Sequence, residues 1–177
     1  MRIGFDIDGV IVDTIMFCSK EATKNLGYEI TCADFVYDFT GLSGVKEYWD
    51  ANEEYLLCTL DPHEGAIKLI NDLKAEHELF FISSRRNSSF EATKNWFDKH
   101  GLPKERLFLT NTDSKKSICK ELGIELFIED SGTNAMEVAS IGIPVILFDT
   151  EYNREYEGEN IKRATDWDEI RKIVNNK

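Results

Sequence analysis

The chain has 177 residues and a formal net charge of −12, a length that suits one domain with a sizeable core. The acidic surplus argues against nucleic acid or an anionic membrane as a partner, so an anionic substrate would need local cations or a metal. No apolar run could span a bilayer, and the four cysteines lack CxxC spacing. Met1 and Arg2 lead directly into the first predicted strand, so we expect no signal peptide. We therefore expect a cytoplasmic protein with free thiols, without a disulfide framework or a zinc site.

Short apolar runs alternate along the chain with amphipathic stretches. Each run that ends in a polar residue is typical of a buried strand, and apolar residues three and four apart predict a helix. Because strands and helices alternate, the sequence predicts an α/β fold, a Rossmann-like parallel sheet of five strands with helices on both faces. The predicted strands are 2–6, 78–83, 107–109, 124–128 and 144–148, and the predicted helices are 9–26, 61–73, 88–100, 114–122, 133–140 and 166–174.

Capping residues predict where some of these helices begin and end. Asp61 before Pro62 predicts a helix start with Asp as N-cap and Pro at the first position. Ser88 and Glu91 have the spacing of a capping box, in which two side chains bond the free backbone amides of the first turn. Gly27 and Gly101 are expected to end the helices that precede them.

Residues 28–59 interrupt the alternation after the first helix. They are rich in aromatic residues; Val45 to Leu56 predict one helix, and Thr31 with Asp34 predict the start of another. Because this segment offers no strand, we expect a small helical cap, residues 28–59, inserted into a core of residues 1–27 and 60–177. Its Tyr48 and Trp49 could close on a base or pack a small core, and packing is the commoner role of aromatic residues.

Two aspartates, Asp6 and Asp8, stand at the end of the first predicted strand. An ionised Asp is rarely buried without a partner, so this pair needs a compensating group. A divalent cation is the simplest one, because hard carboxylate oxygens suit Mg²⁺, which keeps its other positions for water and substrate phosphate. The alternative is a helix cap in a solvated loop, but a cap needs only one carboxylate.

Polar residues also follow the next three predicted strands. The carboxyl ends of parallel strands lie at one edge of the sheet, where ligands bind in open α/β folds, so these side chains are expected to gather there. Such a set could combine a further metal carboxylate, a hydroxyl and amides for phosphate, and a neutralising lysine. The residues concerned are Asp6, Asp8, Ser83, Ser84, Arg85, Lys115, Lys116, Glu129 and Asp130.

These residue types are the parts of a phosphoryl-transfer site. One carboxylate would attack phosphorus to form an aspartyl-phosphate, and the other would carry protons. Simpler interpretations exist for each part. Ser83 could be an exposed strand end, the lysines could be solvated, and Glu129 with Asp130 could cap the next helix. Arg85 could contact phosphate or form a surface ion pair.

The ordered set of a DxD motif, a serine, a lysine and an acidic pair resembles the haloacid dehalogenase-like (HAD) hydrolase superfamily. The resemblance covers most of the chain outside residues 28–59. Residues 82–85, 115–130 and 147–154 are further similar to the 5′-nucleotidase type C branch, which includes deoxyribonucleotidases. The four motifs stand at Asp6-Ile7-Asp8-Gly9-Val10, Phe80-Phe81-Ile82-Ser83, Lys115 and Glu129-Asp130.

The resemblance implies a Mg²⁺-dependent phosphatase of small phosphomonoesters, with 5′-nucleotides as one candidate substrate class. It makes Asp6 the nucleophile and a metal ligand. Asp8 becomes the general acid and base, and its backbone carbonyl also binds the metal. Asp130 becomes the third protein ligand of the metal, with Glu129 at or just behind it.

The same resemblance places the phosphoryl group on Ser83, Ser84 and Lys115. Lys115 fits the spacing to Asp130 better than Lys116, although the sequence leaves both open. Val10 departs from the family pattern because many members have Thr there, which removes a hydroxyl but no catalytic group.

Three other functions compete with this one. A dehalogenase on the same fold needs the first Asp but neither Asp8 nor a metal. A phospho-acceptor signalling domain of the receiver type places its acceptor Asp after the third strand, where this chain lacks one in that setting. A non-catalytic phosphate or nucleotide sensor would have a degenerate site, whereas every essential residue is present here. The sequence indicates neither the leaving group nor the oligomeric state.

Overall fold

The computed structural model describes residues 1–31, 44–111 and 113–176. The sheet has strands β1 (Arg2–Phe5), β2 (Glu78–Ser83), β3 (Leu107–Leu109), β4 (Leu126–Glu129), β5 (Val145–Phe148) and β6 (Ile161–Ala164). The helices within the described residues are α1 (Thr14–Leu26), α2 (Val45–Thr59), α3 (Ala66–Leu73), α4 (Phe90–His100), α5 (Lys115–Glu121), α6 (Gly132–Ala139) and α7 (Trp167–Asn175).

All six strands are parallel, in the order β3-β2-β1-β4-β5-β6. The chain moves from β1 outward through β2 to β3, then crosses back to β4 on the other side of β1. The strand order therefore reverses between β1 and β4, where Phe5 pairs with Ile128 and the Asp6 amide donates to the Ile128 carbonyl at 2.9 Å. In open α/β sheets this reversal point is where a ligand crevice forms.

Successive residues of each strand enter different cores, because strand side chains alternate between the two faces of a sheet. Phe81 packs with Phe5 in a cluster covered by α3, α4 and α7. Its neighbours Phe80 and Ile82 pack with Phe127 in a second cluster covered by α5 and α6. The predicted α/β sheet with helices on both faces is confirmed.

The predicted number of five strands is wrong, because β6 adds a sixth at the edge of the sheet. β6 reads Ile-Lys-Arg-Ala, and only Ala164 is fully buried. An edge strand with alternate exposed residues lacks the continuous apolar run by which the other strands were predicted.

Two helices begin later than predicted, because their expected first residues bond to each other. Residues 9–13 form a loop in which Val12 bridges to Pro62, and the His63 amide donates to the Ile11 carbonyl at 2.8 Å. α1 then starts at Thr14, with Asp13 as its N-cap. α3 starts at Ala66, after Gly65, so the N-cap expected at Asp61 is not formed.

The predicted capping box of Ser88 and Glu91 is also wrong. A 3₁₀ turn at Asn87–Ser89 leads directly into α4, and neither element has a side-chain cap. The predicted ends at Gly27 and Gly101 are confirmed, since both glycines take the left-handed conformation there.

The segment 28–59 is described in part. The helix predicted from Val45 is confirmed as α2, whereas the start predicted at Thr31 with Asp34, like Cys32, falls on or next to residues outside the described ranges. Cys18, Cys58 and Cys119 are free thiols, as expected. Among the described residues, no helix has both the length and the apolar character needed to cross a membrane.

Candidate active site

Asp6 follows the last residue of β1 and is 6% exposed. Its Oδ1 accepts a 2.7 Å hydrogen bond from the Ile7 amide, and its Oδ2 lies 2.8 Å from Lys115 Nζ. The same ammonium lies 2.8 Å from Glu129 Oε2. Lys115 is the first residue of α5, which Ser114 caps, so the helix start delivers the lysine to the sheet edge. The two carboxylates thus share one buried cation.

A third buried carboxylate, Asp130, completes an acidic cluster with Asp6 and Glu129. One oxygen from each lies within 4.8 Å of the others. Burial, then the charges of Glu129 and Asp8, raise the pKa of Asp6 despite Lys115. Burial, then the charge of Asp6, raise the pKa of Asp130 to about 7. Burial also raises the pKa of Glu129. Burial is the largest cause at all three acids, and the single Lys115 ammonium offsets it only in part.

This cluster suits a divalent cation, because its negative charge exceeds its positive charge and its donors are hard oxygens. Both oxygens of Glu129 are already occupied: Oε2 faces Lys115, and Oε1 accepts the amides of Asp130 and Ser131 at 3.2 and 3.0 Å. Asp6 is bonded at both oxygens as well, by the Ile7 amide and Lys115, so the geometry offers all three carboxylates of the cluster to one metal ion.

Asp130 is held from two sides. The phenol of Tyr152 donates to its Oδ2, and Asn153 Nδ2 donates to its carbonyl at 2.7 Å. On the other side lies Gly9, whose φ is +78° and where a Cβ would stand 1.9 Å from Asp130 Oδ2. Only glycine fits both this backbone conformation and this close approach, which explains the glycine of the first motif.

Asp8 lies in a different environment, outside the acidic cluster. Arg85 binds both of its oxygens, with Nε to Oδ2 and NH2 to Oδ1 at 2.8 Å each. Thr14 donates to Oδ1 at 2.5 Å and Ser83 to Oδ2 at 3.3 Å. Burial would raise the pKa of Asp8, but the charge and hydrogen bonds of Arg85, with Thr14, outweigh it and lower the pKa. Asp8 is thus an ionised carboxylate here.

The predicted site residues have separate places at this edge. Ser83 is buried, and its Oγ, which donates to Asp8, accepts a hydrogen bond from the Arg85 amide at 3.2 Å. Ser84 is half-buried beside it. Lys116 is exposed and donates to Ser140 Oγ at 3.1 Å. Of the two candidate lysines, only Lys115 faces Asp6.

Three residues of the site were missed or misjudged from the sequence. Arg85 is 8% exposed and neutralises Asp8, so its interpretation as a surface ion pair is wrong. Thr14 is the first residue of α1, and its position in the sequence gives no sign of its hydrogen bond to Asp8. Tyr152 lies in the segment 147–154 that carries the family resemblance, but an isolated tyrosine gives no sign of the carboxylate it will bind.

A cavity of about 270 Å³ opens beside the acidic cluster. Gly9 and Tyr152 form the wall that it shares with Asp130. Met16 and Phe148 give it an apolar surface, and His63 lies against Phe148 with ring centroids 5.4 Å apart. The cavity is thus mixed in character, and it reaches the candidate site at Gly9 and Tyr152, the two lining residues that contact Asp130.

Solved structures share this fold over nearly their whole lengths. A HAD family hydrolase from Deinococcus radiodurans R1, solved with bound phosphate and sodium, covers 99% of this chain and 95% of its own, with 16% identity and a TM-score of 0.71. YfnB from Bacillus subtilis, solved bound to magnesium, covers 98% of both chains with 15% identity and a TM-score of 0.67. The protein therefore has the HAD hydrolase fold.

Sequence comparison narrows this class. The family described as 5′ nucleotidase, deoxy (pyrimidine), cytosolic type C matches residues 1–177, so the chain belongs to that family of phosphomonoester hydrolases. A protein of Halalkalibacterium halodurans that carries the name "putative nucleotidase" is 32% identical over 98% of this chain and 92% of its own. The nucleotidase of Clostridium acetobutylicum is 28% identical over 98% of this chain and 93% of its own.

Proposed function

We propose that this protein is a Mg²⁺-dependent 5′-nucleotidase that works through an aspartyl-phosphate on Asp6. The observation that carries the proposal is the position of Asp6 at the strand-order reversal, between Lys115 and the acidic pair of Glu129 and Asp130. A nucleophilic carboxylate, a fixed cation and an unneutralised acidic cluster are the parts that phosphoryl transfer requires.

In the first step, a carboxylate oxygen of Asp6 attacks phosphorus. The new bond joins this oxygen to phosphorus, the bond from phosphorus to the ester oxygen breaks, and the leaving oxygen takes a proton from Asp8. The Ile7 amide and Lys115 hold the Asp6 carboxylate in one orientation, which reduces the ordering needed before attack.

In the second step, water attacks phosphorus, Asp8 accepts its proton, and the bond to Asp6 breaks to release inorganic phosphate. The ionised Asp8 of this structure is ready for that role. For the first step Asp8 must be protonated, which requires that its pairing with Arg85 loosen as substrate enters.

Asp6 and Asp130, with the backbone carbonyl of Asp8, would hold Mg²⁺, and Glu129 would orient them from behind. When bound, the cation offsets the charge of the acids and of the transferring phosphoryl group. Ser83, Ser84 and Lys115 would bind the phosphoryl oxygens. Lys115 has three donor hydrogens, and its two carboxylate partners leave one for phosphate.

The substrate would be a nucleoside monophosphate of the cytoplasm. Family membership supports this class, and the cavity lined by Met16, His63 and Phe148 offers an apolar place for part of the leaving group. Residues 28–59 would form a small cap over the core of residues 1–27 and 60–177. In such folds the hydrolytic edge is shared, and inserted segments set specificity.

The test is a turnover screen of the purified full chain in metal-free buffer and in Mg²⁺. The screen contains 4-nitrophenyl phosphate, ribo- and deoxyribonucleoside 5′- and 3′-monophosphates, and sugar phosphates, with release of inorganic phosphate as the readout. We expect release that requires Mg²⁺, stops with a chelator and is fastest for 5′-nucleotides.

Two results would contradict the proposal. Tight nucleotide binding in Mg²⁺ without phosphate release would indicate a binding sensor. Halide release from a 2-haloacid without metal would indicate a dehalogenase.

A further inference from the structure

The connection between β5 and β6 carries a side chain that belongs to none of the four motifs, yet touches the acidic cluster. We infer that Tyr152 is a positioning residue for the metal site, one that fixes the Asp130 carboxylate so that a single oxygen faces the metal. The inference rests on the proposed function, because it assigns Asp130 to a Mg²⁺ ion.

Two contacts restrict the Asp130 carboxylate. The Tyr152 phenol donates to Oδ2, and the same oxygen lies against the Cα of Gly9, where a Cβ would come within 1.9 Å of it. With Oδ2 occupied by a neutral donor, Oδ1 is the oxygen available to a cation. Partners of this kind orient metal ligands and typically change metal affinity by about 10–100-fold when removed.

The turn that carries Tyr152 is itself fixed by buried hydrogen bonds. Asn153, fully buried, donates to the carbonyls of Asp130 and Phe148 at 2.7 Å each. Arg163 of β6 donates to Asn153 Oδ1 at 2.7 Å and to the carbonyls of Asn153 and Tyr156 at 3.0 and 2.9 Å. Arg163 of the edge strand β6 therefore sets the position of Tyr152 through Asn153.

The chain offers a matched control on the same connection. Tyr156 also packs its ring against the base of α6, where a Cβ on Gly132 would come within 2.0 Å of it. Its phenol lies 3.4 Å from Thr133 Oγ1 and does not contact Asp130. Tyr152→Phe and Tyr156→Phe each remove one phenolic hydroxyl, but only Tyr152→Phe removes a hydrogen-bond donor to Asp130.

The experiment is calorimetric titration of the metal-free full chain with Mg²⁺, together with the rise in Tm that Mg²⁺ produces above each variant's own metal-free Tm. We expect Tyr152→Phe to raise the Mg²⁺ dissociation constant about tenfold or more and to shrink the Tm rise. Tyr156→Phe should leave both near wild type. In an Asp130→Asn background, Tyr152→Phe should have no further effect.

Equal Mg²⁺ affinity in Tyr152→Phe and wild type would overturn the inference, as would an undiminished effect in the Asp130→Asn background. If Tyr152→Phe does not fold, Arg163→Lys decides, since it loosens the same turn and should weaken Mg²⁺ binding several-fold; unchanged binding would overturn the inference. A wild-type protein that binds Mg²⁺ but releases no phosphate would refute the proposed function while leaving this comparison of affinities intact.

Discussion

Asp6 and Asp8 are two residues apart and chemically identical, but their surroundings differ in charge balance. Burial raises the pKa of Asp6, and so does the charge of Glu129, with which Asp6 shares the single ammonium of Lys115. Asp8 has the guanidinium of Arg85 to itself, so its pKa is lowered. Negative charge exceeds positive charge around Asp6, whereas the pair of Asp8 and Arg85 is neutral overall. Environment, more than residue type, assigns the roles of paired carboxylates.

The two aspartates of the DxD motif therefore differ in their need for a further cation. The acidic cluster gains from a further cation, and its lysine alone cannot neutralise it. The Asp8 carboxylate is already paired with Arg85, so the proposed mechanism requires this pair to loosen before Asp8 can donate a proton.

The largest effect is expected for Asp6→Asn. The amide is a poor nucleophile, so turnover should fall on the order of 10⁴-fold or more, as for the loss of nucleophiles in other covalent mechanisms. Phosphate release from 4-nitrophenyl phosphate in Mg²⁺ is the measurement. Asp98→Asn, which alters a surface ion pair with Lys104, is the control and should leave turnover unchanged. Retention of activity in Asp6→Asn would exclude the aspartyl-phosphate.

The next largest effect is a difference in stability between variants of Lys115 and Lys116. Lys115→Met leaves two buried carboxylates without their cation and should lower the free energy of unfolding by about 3–5 kcal/mol in metal-free buffer. Lys116→Met removes an exposed side chain and should change it by less than about 0.5 kcal/mol. Urea unfolding of both variants checks this. A Lys116→Met variant as damaged as Lys115→Met would contradict the assignment.

A smaller effect is expected on the Asp8 side. Arg85→Met should lower the free energy of unfolding by about 2–3 kcal/mol at pH 7. The loss is smaller than for Lys115→Met because the Asp8 side chain is 29% exposed. The folded-state pKa of Asp8 is lowered, so its stabilisation is present above the unfolded value of about 3.9 and is lost as pH falls through the lower folded value.

The difference in stability between wild type and Arg85→Met should therefore shrink in acid. Arg86→Met, which alters an exposed pair with Asp50, is the control and should cost at most about 1 kcal/mol. Denaturant titrations of the three proteins between pH 7 and strongly acidic pH give the comparison. A difference that persists unchanged in acid would show that Arg85 acts without Asp8.

The acidic cluster should show the opposite pH response. The Asp130 pKa of about 7 lies above its unfolded value, so in metal-free buffer the folded protein holds a proton that the unfolded chain has lost. The stability of wild type relative to Asp130→Asn should therefore fall as pH rises from about 5 to about 7.5. Mg²⁺ should offset this fall, because it binds the deprotonated carboxylate. A flat difference in metal-free buffer would contradict the assignment.

Most of the sheet and the acidic half of the site could be predicted from local pattern. β1, β2 and β4 are apolar runs, and a parallel sheet brings their carboxyl ends together. The sequence alone therefore predicts that Asp6 and Asp130 lie close together at one edge of the sheet. Family resemblance favoured Lys115 over Lys116, and Lys115 is the lysine that lies between Asp6 and Glu129.

What could not be predicted depends on partners distant in sequence. Arg85 lies 77 residues from Asp8, and only the pairing of β1 with β2 brings their loops together. Likewise, the later start of α3 follows from a bridge between Val12 and Pro62, which overrides a reasonable local capping signal. Local rules describe what a segment prefers, and they omit a competing partner from elsewhere in the chain.

The packing of α2 has a practical consequence for exchanging segments between relatives. Leu57 lies inside the main core, Trp49 packs against it, and the Cys58 thiol donates to the Ala92 carbonyl at 3.6 Å. A chimera that replaces all of residues 28–59 would remove these side chains from the main core. A graft that ends before Val45 keeps these contacts, so we expect its recipient to retain its own thermal stability.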